Sequence, residues 1–189
     1  MSARVERVEL VQITATVASA WVQVRLQEST GFVSIASDYG HWTYHWMPAH
    51  RHDSLGHFLA QIDSGYAGRK FLGARLDVYD FRKSSRRIKD EILADRRCGL
   101  LSKDKAASEW NLVVLLEEQG FDSWYFETSL QDAAEFHCTV MDPAWTNFWE
   151  RLWLPEIRPA LAEWPEDKAQ ARDYERALRE GDANHEAAL

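Results

Sequence analysis

Five histidines, His41, His45, His50, His52 and His57, fall within seventeen residues. Imidazoles at that density are raw material for a metal centre. On a strand His41 and His45 share one side, and a following loop could bring His50 or His52 to them. The spacing matches no zinc pattern, and no cysteine or carboxylate cluster completes a ligand set. His41 and His45 therefore stand as a weak alternative, a metal- or ligand-binding module on a hairpin face, against the plainer reading of solvent-side histidines. Between them, Trp42, Tyr44 and Trp46 form a ladder that could stack nucleobases. From Phe32 to Ala49 there is no lysine or arginine to hold phosphates, so a buried ring ladder is the stronger expectation.

Charge offers two further features. Arg82, Lys83, Arg86, Arg87 and Lys89, extended by Arg96 and Arg97, lie on one expected helix, diluted by Asp90, Glu91 and Asp95. Arg86 with Asp90 and Arg87 with Glu91 are spaced to pair along the helix, so Arg82–Arg97 as a nucleic-acid binder is the minority reading. The opposite feature is more unusual. From Ala106 to Glu150 there is no lysine or arginine, while Glu109, Glu117, Glu118, Asp122, Glu127, Asp132, Glu135, Asp142 and Glu150 are all acidic. Like charges without local partners repel, which points to a field aimed at a basic partner. Glu117, Glu118, Asp122, Glu127, Asp132 and Glu135 are the expected contacts, with Trp124 and Tyr125 as anchors.

No GxGxxG, GxxxxGK[ST], HExxH or GxSxG motif occurs. The expectation is a non-enzymatic protein without a cofactor. Net charge is −8, from 30 acidic and 22 basic residues; this argues against a general phosphate binder and makes direct nucleic-acid binding the less favoured partner choice. Cys98 and Cys138 belong to no paired motif and read as reduced thiols. The N-terminus carries no apolar signal region, and the longest aliphatic run, Leu112 to Leu116, is far too short to span a bilayer. The expected location is the cytoplasm, without membrane association.

The elements that must position these residues are legible from period and punctuation. Val5–Thr16, Trp21–Leu26, Phe32–Ser37 and Trp42–Met47 alternate as strands, joined by connections too short for parallel crossovers. Asp38-Tyr39-Gly40-His41 supplies a turn in which Asp38 can bond its own backbone. Helical periods follow: one capped by Asp53 or Ser54, one from Asp63 to Leu72, one from Asp80 to Arg97 ending at Gly99, and one capped by Ser102 that stops at Gly120. Phe136–Met141 reads as a late strand. Asp142-Pro143 opens a helix on which Trp145, Trp149 and Trp153 recur every four residues, with kinks or restarts at Pro155 and Pro159. The fold class is α+β: an N-terminal four-stranded antiparallel meander packed by several C-terminal helices. A single domain over 1–164 and a polar helix with a frayed tail over 165–189 complete the expectation.

Three blocks carry a resemblance. SDYGHWTYHW (37–46), FLAQIDSGYAGRKFL (58–72) and DPAWTNFWERLWLPEIRPAL (142–161) are similar to blocks in small accessory proteins of tailed bacteriophages and prophages: an SDYG-aromatic hairpin, an FLxxxDxxYxxxK helix and an FxxxWP helix. Here Leu154 stands between Trp153 and Pro155. The resemblance implies a phage or prophage accessory protein in the bacterial cytoplasm and transfers no catalytic residue. Together with the acidic segment it suggests a binder and inhibitor of a host factor. A nucleic-acid-handling defence complex of the CRISPR–Cas kind fits best, because acids can occupy a basic groove meant for nucleic acid.

Overall fold

The computed structural model describes residues 10–46 and 54–164. The sheet is the meander expected, in the order β1 (Val11–Val17), β2 (Ala20–Gln27), β3 (Phe32–Ser37) and β4 (Gly40–His45), every neighbouring pair antiparallel. Register places Ile13, Val24, Ile35 and Trp42 in one cross-strand row, and Val22, Val24, Leu26, Val33 and Ile35 are buried. One sheet face is thus continuous hydrocarbon, the arrangement a two-residue period dictates when helices cover a single side. The turn between β3 and β4 differs from expectation in one detail. Ser37, not Asp38, bonds the local backbone, accepting from the Tyr39 N–H and donating to the Gly40 carbonyl. The Asp38 carboxylate instead accepts from the Trp21 N–H at 2.8 Å, tying the turn to β2.

The chain packs as two compact units within the span 1–164 that composition suggested was one domain. One comprises residues 1–76 and 142–189, the other 77–141; the expected tail, 165–189, lies outside the described residues. In the first unit the sheet is followed by α1 (Leu55–Gln61), α2 (Ser64–Leu72) and a short 3-10 turn (Gly73–Leu76). After residue 141 the chain re-enters it as α6 (Pro143–Phe148), a π-helical segment (Trp149–Ile157) and α7 (Arg158–Ala162). These three run on as one rod. Pro155 sits inside the π-helical stretch, so it neither breaks nor restarts the helix; the widened i→i+5 register absorbs the missing N–H. Trp145, Phe148, Leu152, Trp153, Ile157 and Leu161 are all fully buried, which makes the tryptophan row core. Trp42 of β4 meets Trp145 edge-on at 5.1 Å and Phe148 at 4.9 Å, and Trp149 stacks on Trp153.

The three sequence blocks converge on this core. Asp63 caps α2 by accepting from the Tyr66 N–H, Lys70 lies 5.6 Å over the rings of both Tyr44 and Tyr66, and the Trp145 indole donates to Ser64. Their shared residue types are explained by packing alone.

The second unit is a helical insert. β5 (Asp77–Tyr79) leads to α3 (Phe81–Cys98), α4 (Lys103–Gln119) and α5 (Phe121–Glu127); a 3-10 turn (Ala133–Phe136) and β6 (Thr139–Met141) follow. β5 and β6 pair antiparallel, Asp77 opposite Met141 and Tyr79 opposite Thr139. Ile88, Ile92, Val113, Leu116, Trp124 and Phe136 form its core.

Gly68 marks a close helix approach in the first unit: a Cβ there would lie 2.5 Å from Leu76 Cδ1 and 2.8 Å from Trp145 Nε1. Gly68→Ala gains at most about 1 kcal/mol of helix propensity and loses about 1–3 kcal/mol to overpacking. Urea unfolding will show a net loss of stability, whereas the same change at half-buried Gly65, where the nearest neighbour of a Cβ is the flexible Asp63 carboxylate at 3.3 Å, will not.

Candidate functional site

The insert carries nearly all the charge singled out in the sequence, and its helices set where each group points. Asp80 caps α3 by accepting from the Lys83 N–H, and Gly99, in the left-handed region at φ 79°, ends it. Ser102 caps α4, and Gly120 at φ 86° both ends α4 and opens α5, so the chain turns a corner in one residue. Around that corner Glu117, Glu118 and Asp122 fall within six residues and all are exposed. Glu127 closes α5 and is exposed too. The rings beside them divide sharply. Trp124 is 0% exposed, packed against Phe121 and Phe136, whereas Tyr125 is 43% and Phe126 82% exposed. Tyr125 stacks on Phe121 and meets Phe126 edge-on. The corner thus presents four carboxylates around two outward aromatic rings.

Several expected contacts fall elsewhere. Trp124 is removed as a surface anchor by its burial; Phe126, which sequence reasoning passed over, is the exposed ring of α5 beside Tyr125. No periodicity argument over a seven-residue helix distinguishes neighbouring aromatics without knowing which side meets the core. Glu135 faces one of the insert's own arginines: Arg87 donates to its backbone carbonyl at 2.7 Å, lies 3.9 Å from its carboxylate, and covers the neighbouring Phe136 ring. Asp132 lines, with Arg87, Lys105 and Glu135, a mixed-charge cleft of about 450 Å³ away from the α4–α5 corner residues. Asp142 and Glu150 belong to the other unit, where Asp142 caps α6. Within the insert the acidic run therefore divides: Glu109 is buried, Asp132 and Glu135 flank the cleft, and Glu117, Glu118, Asp122 and Glu127 are exposed at the α4–α5 corner.

Glu109 is the clearest change of role. It is buried on α4, where its carboxylate accepts from the Thr128 hydroxyl at 2.6 Å and from the Ser129 hydroxyl and N–H at 2.6 and 3.0 Å. This is a splice between α4 and the segment leaving α5. Burial raises its pKa, but the Ser129 and Thr128 hydrogen bonds and the nearby Lys105 outweigh it, leaving the carboxyl below its ordinary value.

On the hairpin, His41 and His45 do share the exposed side of β4. Four residues along a strand separate their Cα atoms by about 13 Å, too far for both to ligate one ion at about 2 Å. His45 packs instead against Phe32. His50 and His52 lie outside the described residues. Among the described residues no group of three or more His, Cys, Asp or Glu side chains is placed to hold a metal ion, and no helix is long and apolar enough to cross a membrane.

Compared with known proteins, the chain matches a phage family over residues 1–163. Neither the curated proteins nor the solved structures offer a match.

The Glu109 splice has a pH signature. Because its folded pKa lies below the ordinary value of 4.5, its stabilisation is complete above the unfolded pKa and is lost as pH falls through the folded one. Glu109→Gln should lower unfolding free energy by about 1–3 kcal/mol at neutral pH, and the gap to the native chain should shrink below about pH 4.5. Parallel denaturation curves at pH 7 and at low pH measure it.

Proposed function

The chain belongs to a phage family, and from that premise we propose that it is a non-enzymatic accessory protein acting in the bacterial cytoplasm, where it binds and inhibits a host factor through the α4–α5 corner. The observation that carries this reading is the pairing of outward Tyr125 and Phe126 with exposed Glu117, Glu118, Asp122 and Glu127, none of which has an ion-pair partner among the described residues. A solvent-facing phenylalanine at 82% exposure contributes nothing to the fold that exposes it, and aromatic rings are enriched among interface anchors. Asp122 lies in the first turn of α5, where the helix dipole favours it, but two of the other acids are unexplained by local stability. Glu117 and Glu118 close α4 with no basic residue in the last turn, at the end where the helix dipole is itself negative.

An apolar anchor ringed by carboxylates complements a basic protein surface with a hydrophobic recess. In a phage-infected cell, nucleic-acid-handling defence complexes of the CRISPR–Cas kind present such surfaces, and an acidic tip placed in one competes with the phosphate backbone it normally holds. Inhibition is then steric and electrostatic, and it weakens as salt screens the charges.

The reading is tested with a tagged full-length chain as bait in host extract, beside Glu117→Lys/Glu118→Lys/Asp122→Lys and Phe126→Ala baits. The native bait should retain a nucleic-acid-binding complex that added salt or competing oligonucleotide releases. Both variants should lose that complex, while their stability shifts by no more than about 0.5 kcal/mol per exposed site. Recovery of the same proteins by all three baits would remove the proposal.

A further inference from the structure

A second surface of the insert has the opposite chemistry. On α3, Arg82, Arg86, Lys89 and Leu93 recur at steps of four, three and four, so they line one helix face over roughly 16 Å of rise. That face is one wall of a shallow groove of about 460 Å³ whose other wall is Trp110 of α4. Trp110 is 40% exposed, and the Lys89 ammonium sits 5.5 Å over its ring. Among the described residues, none of Arg82, Arg86 and Lys89 has a carboxylate within ion-pair distance; the neighbouring Arg87 is the one that reaches Glu135. The expected Arg86–Asp90 pair along the helix is not made, although Asp90 does line the groove.

We propose that this groove binds single-stranded nucleic acid, with one base stacked on the Trp110 indole and the flanking phosphates held by Arg82, Arg86 and Lys89. Three cations against one carboxylate make the groove locally positive although the whole chain carries −8, because potential at a surface follows the nearest charges. The half-open indole selects among polyanions. A base offers it a π-face, and stacking of this kind tolerates any sequence; an acidic peptide offers carboxylates to the cations and nothing flat to the ring. A duplex is disfavoured because its bases are already stacked and its edge cannot lie flat on Trp110. Leu93 extends the apolar floor beyond the ring. The site shares no residue with the α4–α5 corner, and its proof or failure leaves that reading untouched.

The test is fluorescence anisotropy of a labelled mixed-sequence single-stranded oligonucleotide with the full chain at low salt, followed in parallel by tryptophan quenching. Binding should saturate, quench fluorescence, and weaken with salt at a log–log slope of about −2, the value for three phosphates on a single strand. Trp110→Ala should weaken it roughly tenfold while Trp110→Phe keeps most of it, and Arg82→Gln/Arg86→Gln should flatten the slope to about −0.7. Glu117→Lys/Glu118→Lys/Asp122→Lys should bind at least as well as the native chain, separating this site from the corner. No binding at low salt would overturn the proposal. So would equal binding by the Trp110→Ala and arginine variants, equal affinity for a duplex of the same length, or equal displacement by a polyglutamate peptide.

Discussion

Six residues hold the insert shut. Asp77–Tyr79 and Thr139–Met141 pair as β5 and β6, bringing together the ends of a 65-residue excursion from the first unit. A two-stranded ribbon this short is not stable alone, and closing so long a loop costs conformational entropy. Neighbouring bonds offset that cost: the Asp80 N–H donates to the Cys138 carbonyl at 2.8 Å, and the Cys138 N–H to the Ser84 hydroxyl at 3.0 Å. The first turn of α3 is thereby fastened to the chain arriving at β6. Every charged group of functional interest rides on helices whose register begins at that fastening.

Inside the insert two further links set what faces out. Glu109 splices α4 to residues 128–129, and Trp124 fills the centre of the core. With Trp124 turned in, helical geometry turns Tyr125 and Phe126 out, and with Glu109 turned in, Glu117 and Glu118 are the exposed acids of the last turns of α4. Burial of one aromatic and one carboxylate thus determines the make-up of the exposed corner.

The two surfaces of the insert illustrate why net charge is a poor guide to recognition. The α4–α5 corner is acidic and aromatic; the α3–α4 groove is basic and aromatic. Each is local, and at physiological ionic strength fields decay over about 8 Å, so both signs coexist on one small unit.

The phage-family resemblance read from three short blocks is matched by a family over residues 1–163, and the structure gives those blocks a packing role. Local grammar made most of the fold legible. Caps at Ser54, Asp63, Asp80, Ser102 and Asp142 act on backbone groups two or three residues away, and strand alternation and tryptophan spacing repeat within one element. The sequence therefore determined the meander, the capped helices α1 to α4 and α6, and the buried tryptophan row, but not α5, and it read Phe136–Met141 as a strand where only Thr139–Met141 is one. It could not separate Trp124 from Phe126, see Glu109 bonded to Thr128 and Ser129, find Arg87 on Glu135, or mark where the insert begins. Those outcomes depend on partners 19 to 48 residues away, and a side chain's exposure is fixed by what packs over it. That information exists only once β5 and β6 have closed and the distant segments share a core.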